Sequence, residues 1–137
     1  MRLEAAVDPW CGDGYALDRQ DAGPDGPSVW DWRGLVTAIL EDLAHGAPRG
    51  KIAARFHHAL TSAILETARR VALPTVALTG GCFQNRLLAE DTAMTLGRVG
   101  FTVLQHRQVP PNDGGLSLGQ VLVAATAVGA GRVAGED

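Results

Sequence analysis

The chain has 137 residues, of which 46% are hydrophobic and 20% charged, and this is the composition of a single ordinary globular domain. Its net charge of −3 disfavours nucleic acid as a main partner. No apolar run reaches the roughly 18 residues of a transmembrane helix, and the first residues lack the apolar core of a signal peptide. The two cysteines, Cys11 and Cys82, form no C-x-x-C pair, which argues against a zinc ribbon or a disulfide framework and favours a cytoplasmic setting.

The first 32 residues contain few signals of regular structure. The opening MRLEAAV reads as a helix without a capping residue before it, which predicts that the sequence begins inside an element of something longer. Residues 8–27 are rich in glycine and proline and show no periodicity, so they predict a long, mobile surface loop. Trp10, Trp30 and Trp32 flank this loop and are expected to pack it against the domain, with a contact surface as the alternative.

The middle of the chain predicts two amphipathic helices. Apolar residues recur every three or four positions over residues 33–45, and again over residues 51–72, so each segment has one apolar stripe. Gly46 ends the first helix, and Pro74 follows the second.

The second half reads as a strand–helix–strand unit. Residues 75–79 and 101–105 are β-rich, and a helix over residues 85–96 separates them, so the two strands are expected to be parallel. A last helix over residues 116–128 is apolar nearly all round, which implies that neighbours or a partner cover it. The predicted fold is therefore α/β, with a small sheet and flanking helices.

Parallel strands place the segments that follow them, residues 80–85 and 106–115, at one edge of the sheet. Gly80 and Gly81 precede a helix, which is the arrangement in which backbone amides approach a phosphate with no Cβ in the way. The sequence therefore predicts that two polar, glycine-rich turns meet at a ligand-binding edge.

Asp113 is the only acid in either turn. A carboxylate beside a phosphate repels it unless a cation lies between them, so Asp113 is predicted to hold a divalent metal. The alternative is that residues 112–114 simply form a turn that caps the last helix. His57 and His58 are adjacent and cannot form the i, i+4 pair of a helical metal site, so they are interpreted as ordinary surface or half-buried histidines.

Two residues near the glycine pair have structural and functional interpretations. Asn85 lies on the first turn of a helix, where it can cap the helix or hydrogen-bond a ribose or phosphate, and capping is slightly favoured. Cys82 is interpreted as a small buried residue rather than a nucleophile, because no partner base is evident.

These motifs resemble a known family. GGCFQNRLL, followed by a Gly-Phe strand and then VPPNDGGLSLGQ, resembles the C-terminal end of HypF carbamoyltransferases, hydrogenase maturation factors related to the tRNA threonylcarbamoyl transferase group. IAARFHHAL and MRLEA resemble the segments that precede those motifs. The resemblance covers nearly the whole chain apart from the loop at 8–27.

The resemblance implies an actin-like ATPase fold of the ASKHA type, with two α/β lobes and a nucleotide in the cleft between them. Residues 1–137 would be a single second lobe. Proteins of this family use ATP and carbamoyl phosphate to make a carbamoyl-adenylate. They then pass the carbamoyl group to the C-terminal cysteine of the acceptor protein HypE, as a precursor of the cyanide ligand in [NiFe] hydrogenases.

Residue roles follow from the same resemblance. Gly80 and Gly81 would lie against the nucleotide phosphates, and Asn85 would contact the nucleotide. Asp113 would be a ligand of the catalytic metal, of the Mg or the Fe/Zn type. Glu4 resembles an acid that contacts the ribose.

The chain also departs from the family. It contains neither the H-x-x-x-H metal pair of the first lobe nor the domain that makes the adenylate, and no catalytic residue is assigned. We therefore expect it to be inert alone and to work with a missing N-terminal lobe, in the same polypeptide or as a split subunit. The alternatives are a non-catalytic nucleotide-binding or interaction module, a carbamoyltransferase relative acting on a small molecule or tRNA, and self-association through the last helix.

Overall fold

The computed structural model describes residues 3–21, 23 and 26–133, which contain four helices and two small two-stranded sheets. Single 3-10 turns cover Glu4–Ala6, Gly81–Gln84 and Asp113–Gly115. The strands and helices are, in chain order, β1 Asp18–Asp21, β2 Ser28–Asp31, α1 Arg33–Ala44, α2 Arg49–Val71, β3 Thr75–Leu78, α3 Arg86–Arg98, β4 Thr102–Gln105 and α4 Leu116–Val133. No helix in this part of the chain is long and apolar enough to cross a membrane.

The predicted strand–helix–strand unit is confirmed. Strands β3 and β4 pair in parallel, from Thr75 opposite Thr102 to Leu78 opposite Gln105, and α3 connects them. Leu78, Ala68 of α2 and Leu96 of α3 form the buried centre of this half. Both helices therefore pack on one face of the two-stranded sheet.

The two predicted central helices are also confirmed, with ends that differ by one or two residues. Gly46 has φ +72 and ends α1, because a left-handed residue breaks the helical hydrogen-bond pattern. Ala72 adopts the left-handed conformation at the end of α2, with φ 57. A second core cluster, centred on Leu35 and Ile52, lies between α1 and α2.

The start of the chain differs from the prediction. MRLEAAV does not form a regular helix over its described residues, because only one 3-10 turn, Glu4–Ala6, is present. The segment predicted as a loop at 8–27 contains strand β1, which pairs with β2 in an antiparallel hairpin. The hairpin is mostly polar and exposed, so it shows none of the apolar alternation by which strands are recognised.

Ion pairs attach this segment to α2, and a buried tyrosine attaches it to α1. Arg19 pairs with Glu66 at 2.8 Å, and Arg70 pairs with Asp21 at 2.8 Å. Tyr15 is buried and donates its hydroxyl hydrogen bond to Asp42 at 2.6 Å.

The three tryptophans have different surroundings. Trp30 donates its indole N–H to Thr67 Oγ1 of α2 at 3.2 Å, as the packing interpretation predicts. Trp10 and Trp32 are 92% and 65% exposed, so the packing interpretation is wrong for both. A large exposed indole is the type of side chain that partner surfaces favour.

Tyr15 is the only tyrosine, so its titration reports whether the segment around it stays packed against α1. Burial, and then the hydrogen bond to Asp42, raise the pKa of Tyr15 to about 12. We expect phenolate absorbance of the folded chain to rise near pH 12, against about 10 in urea. Because the folded pKa is raised, this contribution to stability is complete below pH 10 and is lost between about pH 10 and 12. A folded-state midpoint near 10 would show that the segment leaves α1.

Candidate functional site

The two polar turns meet at the carboxyl edge of the β3–β4 sheet, as the parallel pairing predicts. The amide of Gly80 donates a hydrogen bond to the carbonyl of Pro111 at 2.6 Å. His106 Nε2 and Thr79 Oγ1 are 3.0 Å apart and form a second link between the two segments. One surface is therefore built from two stretches of chain that are far apart in sequence.

The two glycines of the first turn have different structural roles. Gly80 has φ +104 and ψ 158, a conformation that is essentially restricted to glycine. Its amide is already bonded to Pro111, so its role is to shape the turn. A Cβ placed on Gly81 would approach nothing closer than Asn112 Cβ, at 4.0 Å. Gly81 is therefore exposed, and a Cβ on it would just reach van der Waals contact with the second turn.

The N-terminus of α3 is capped by two protein side chains. Asn85 Oδ1 accepts a hydrogen bond from the amide of Leu88 at 3.0 Å, which confirms the capping interpretation. Glu4 Oε1 accepts from the amide of Leu87 at 3.1 Å, and this bond is the main cause that lowers the pKa of Glu4. A negative carboxylate at this position is also stabilised by the positive end of the helix dipole.

A buried histidine supports Asn85 from α2. His57 is 1% exposed, and its Nδ1 lies 2.7 Å from the carbonyl of Ala53. A carbonyl can only accept, so Nδ1 carries the proton, and Nε2 accepts from Asn85 Nδ2 at 2.8 Å. The amide oxygen and the amide nitrogen of Asn85 are thus both hydrogen-bonded within the protein.

This placement corrects the interpretation of His57 as a surface or half-buried residue. The side chain fits between α2 and α3 because its helical neighbours Ala53 and Ala54 are small and buried. That pair of alanines is the signal in the sequence that indicates a close helix–helix contact at this turn. The contact with Asn85 is long-range and leaves no local pattern.

Asp113 lies on the second turn and is exposed. The cap of this turn is made by its neighbour, because Asn112 Oδ1 accepts from the amide of Gly114 at 3.0 Å. Among the described residues, no group of three or more His, Cys, Asp or Glu side chains is arranged to hold a metal ion. The described residues around Asp113 therefore do not by themselves form a metal site.

Cys82 also lies near the glycine turn. It is a free thiol and is exposed, so its interpretation as a buried residue is wrong. No described side chain forms a hydrogen bond to its sulfur in the structure.

The family described as "Carbamoyltransferase, Kae1-like Domain, second subdomain" matches residues 1–120. Curated relatives include the carbamoyltransferase HypF of Rhodobacter capsulatus, which is 45% identical over 91 residues, or 64% of this chain and 12% of the relative. The same protein of Synechocystis sp. is 40% identical over 92 residues, or 67% of this chain and 12% of the relative. A HypF homolog of Cupriavidus necator is 37% identical over 129 residues, or 90% of this chain and 31% of the relative.

Solved structures of the same family share this fold. A crystal structure of full-length HypF in the phosphate- and nucleotide-bound form matches with a TM-score of 0.81 and 30% identity, over 92% of this chain and 17% of that one. HypF of T. kodakarensis matches with a TM-score of 0.63 and 24% identity, over 94% of this chain and 17% of that one. The chain thus spans a small part of the larger proteins that it resembles.

The pairing of Asn85 with His57 is tested by Asn85→Ala. The change removes a helix cap, worth about 1 kcal/mol, and leaves a buried ring nitrogen without a donor, at a cost of about 1–3 kcal/mol. We expect urea unfolding to show a loss of roughly 2–4 kcal/mol. Asn85→Ser keeps a capping oxygen, so it should restore only the stability that the helix cap contributes, about 1 kcal/mol.

Asn112→Ala is the matched control, because Asn112 caps a turn without a buried partner. It should cost about 1 kcal/mol. Equal losses for Asn85→Ala and Asn112→Ala would contradict the contribution of His57.

Proposed function

Because this chain belongs to the HypF carbamoyltransferase family over residues 1–120, we propose that it is the second α/β lobe of an ATP-dependent carbamoyltransferase of HypF type, with an actin-like (ASKHA) arrangement. Carbamoyl phosphate, ATP and water give a carbamoyl-adenylate, phosphate and pyrophosphate. The carbamoyl group then passes to the sulfur of the C-terminal cysteine of a HypE-like acceptor in the cytosol, and AMP leaves. The rest of the enzyme belongs to the same polypeptide or to a separate subunit.

One observation carries this proposal, namely the hydrogen bond from Gly80 to Pro111 that joins the two turns. The exposed Gly81 and the exposed carboxylate of Asp113 thus lie on the two turns at one edge of a parallel sheet. Ligands of open α/β sheets bind at this edge. The similar full-length HypF structure is described as phosphate- and nucleotide-bound, which supports a nucleotide as the ligand.

The proposed roles follow from this geometry. Gly80 and Gly81 lie against the phosphates, where Gly80 contributes its Cβ-free surface and the shape of the turn. Asn85 and Glu4, at the N-terminus of α3, contact the nucleotide. For Asn85, such a contact uses the second N–H of its amide, while the first stays bonded to His57.

Asp113 holds the divalent metal in this proposal. A divalent cation, when bound, offsets the repulsion between the carboxylate and the phosphates. One exposed carboxylate makes an incomplete metal site, so the remaining ligands come from the first lobe. For the same reason we propose that the isolated chain is inert.

A second candidate is a non-catalytic nucleotide-binding module that keeps the lobe without the chemistry. This candidate is considered because family members differ in length: a 129-residue match covers 31% of the Cupriavidus necator relative, against 12% for 91 residues of the Rhodobacter protein. The family therefore includes a much shorter member. Transfer activity decides between the two candidates.

The test is a chimera in which this chain replaces the matched region of Rhodobacter capsulatus HypF. We expect the chimera to transfer a carbamoyl group to the C-terminal cysteine of that organism's HypE, measured as a mass increase, and the isolated chain to transfer none. Asp113→Ala should lower the transfer rate at least about tenfold, because a metal ligand is lost. Pyrophosphate release by the adenylate-forming domain should not change.

Glu41→Ala removes an exposed acid on α1 and serves as the matched control. It should leave the transfer rate unchanged. A chimera that forms adenylate but does not carbamoylate HypE would overturn the enzyme proposal and favour the non-catalytic module. Equal carbamoyl transfer rates for Asp113→Ala and Glu41→Ala would show that Asp113 is not a ligand of the metal.

A further inference from the structure

The side-chain amide of Asn85 has one N–H that no protein group uses. Its oxygen accepts from the amide of Leu88 at 3.0 Å, and its nitrogen donates to His57 Nε2 at 2.8 Å. An amide nitrogen carries two hydrogens, and within the described residues no second acceptor is bonded to this one. Asn85 is half-buried, so the remaining N–H is not closed off from a ligand.

The two hydrogen bonds together fix the plane of this amide. A single bond to Leu88 would leave the amide free to turn about that bond, because nothing else would restrain its nitrogen. The second bond comes from His57, which lies on another helix, so the plane is held from two directions. His57 is 1% exposed, and water therefore cannot easily take its place.

The ring of His57 is itself held in one orientation. Its Nδ1–H donates to the carbonyl of Ala53 at 2.7 Å, which leaves Nε2 as an acceptor. The ring of Phe56 packs against it edge to face, at an interplanar angle of 89°. An acceptor at Nε2 specifies that the nitrogen of Asn85, and not its oxygen, faces α2. The carbonyl of Ala53 thus determines, through His57, how the amide of Asn85 is oriented.

A hollow of about 420 Å³ lies at the start of α3, directly after Asn85 in the chain. Its lining includes Glu4, Val7 and Pro9 on one side and Arg86, Leu87 and Glu90 on the other. The hollow gives a ligand room beside the first turn of α3, where the amide of Asn85 is also located.

We propose that His57 is a positioning residue for nucleotide binding. Acting through Asn85, it presents a single N–H donor at the start of α3, and the nucleotide atom that meets this donor is an acceptor oxygen of a ribose hydroxyl or a phosphate. This inference rests on the proposed function, which makes a nucleotide the ligand of this edge. His57 is buried and acts only through the amide that it orients.

Nucleotide affinity of the Rhodobacter chimera tests the role of His57. His57→Leu keeps a side chain of similar size and offers no acceptor, so the amide of Asn85 is free to turn. We expect a non-hydrolysable ATP analogue with Mg²⁺ to bind about five- to tenfold more weakly, which is the effect of about one hydrogen bond. His57→Gln places an oxygen near the position of Nε2 and should restore most of the affinity.

Two further variants separate positioning from packing. Leu96→Val removes buried volume at the opposite end of α3, so it destabilises the helix packing without touching Asn85, and it should leave the affinity unchanged. His57→Asn retains a polar group near Nδ1 but has no acceptor at Nε2. It should show the same loss as His57→Leu, and it takes the place of that variant if the leucine variant does not fold.

Dideoxy-ATP, which lacks both ribose hydroxyls, identifies the acceptor oxygen. The loss caused by His57→Leu should persist with this nucleotide if the oxygen belongs to a phosphate. It should disappear if the oxygen belongs to a ribose hydroxyl.

The outcomes separate this inference from the proposed function. A chimera that transfers carbamoyl groups but binds the analogue equally well with and without His57→Leu would overturn the positioning role and leave the enzyme proposal intact. The positioning role would also be overturned if His57→Gln bound as weakly as His57→Leu, or if Leu96→Val lowered the affinity to the same extent. A loss that His57→Gln restores, in a chimera without transfer activity, would support the positioning role and overturn the enzyme proposal. A chimera that binds no analogue would overturn both.

Discussion

The parallel pairing of β3 with β4 is the constraint on which the rest of this structure depends. It brings the turns after the two strands to one edge, where the Gly80 amide meets the Pro111 carbonyl at 2.6 Å. Gly80 donates this bond from a conformation that is essentially restricted to glycine, and the contact between His106 and Thr79 joins the same two stretches of sequence. The candidate site exists only because this junction forms.

Behind the junction, a buried polar pair fixes the helix that follows the first turn. His57 connects the carbonyl of Ala53 to the amide of Asn85, and Asn85 caps α3. Such a pair is stabilising when every member is satisfied and costly when one is removed. The site therefore combines a rigid scaffold on one side with the exposed carboxylate of Asp113 on the other, an arrangement suited to a surface that another lobe completes.

Much of this could be predicted from the sequence, because the signals are local. The periodic helices, the strand–glycine–helix order and the meeting of the turns follow from spacing alone. The β1–β2 hairpin could not, since its strands lack apolar alternation and its ion pairs with α2, such as Arg19–Glu66, are long-range. The burial of His57 could not either, because its contact with Asn85 is long-range and depends on the packing of α2 against α3.

The central claim is that both turns face one nucleotide. Hydrogen exchange of the Rhodobacter chimera, with and without a non-hydrolysable ATP analogue and Mg²⁺, tests it most directly. The account predicts that residues 81–84 and 112–115 gain protection together and at the same analogue concentration. Protection confined to one of the two turns, or absent from both while the analogue is bound, would contradict the account.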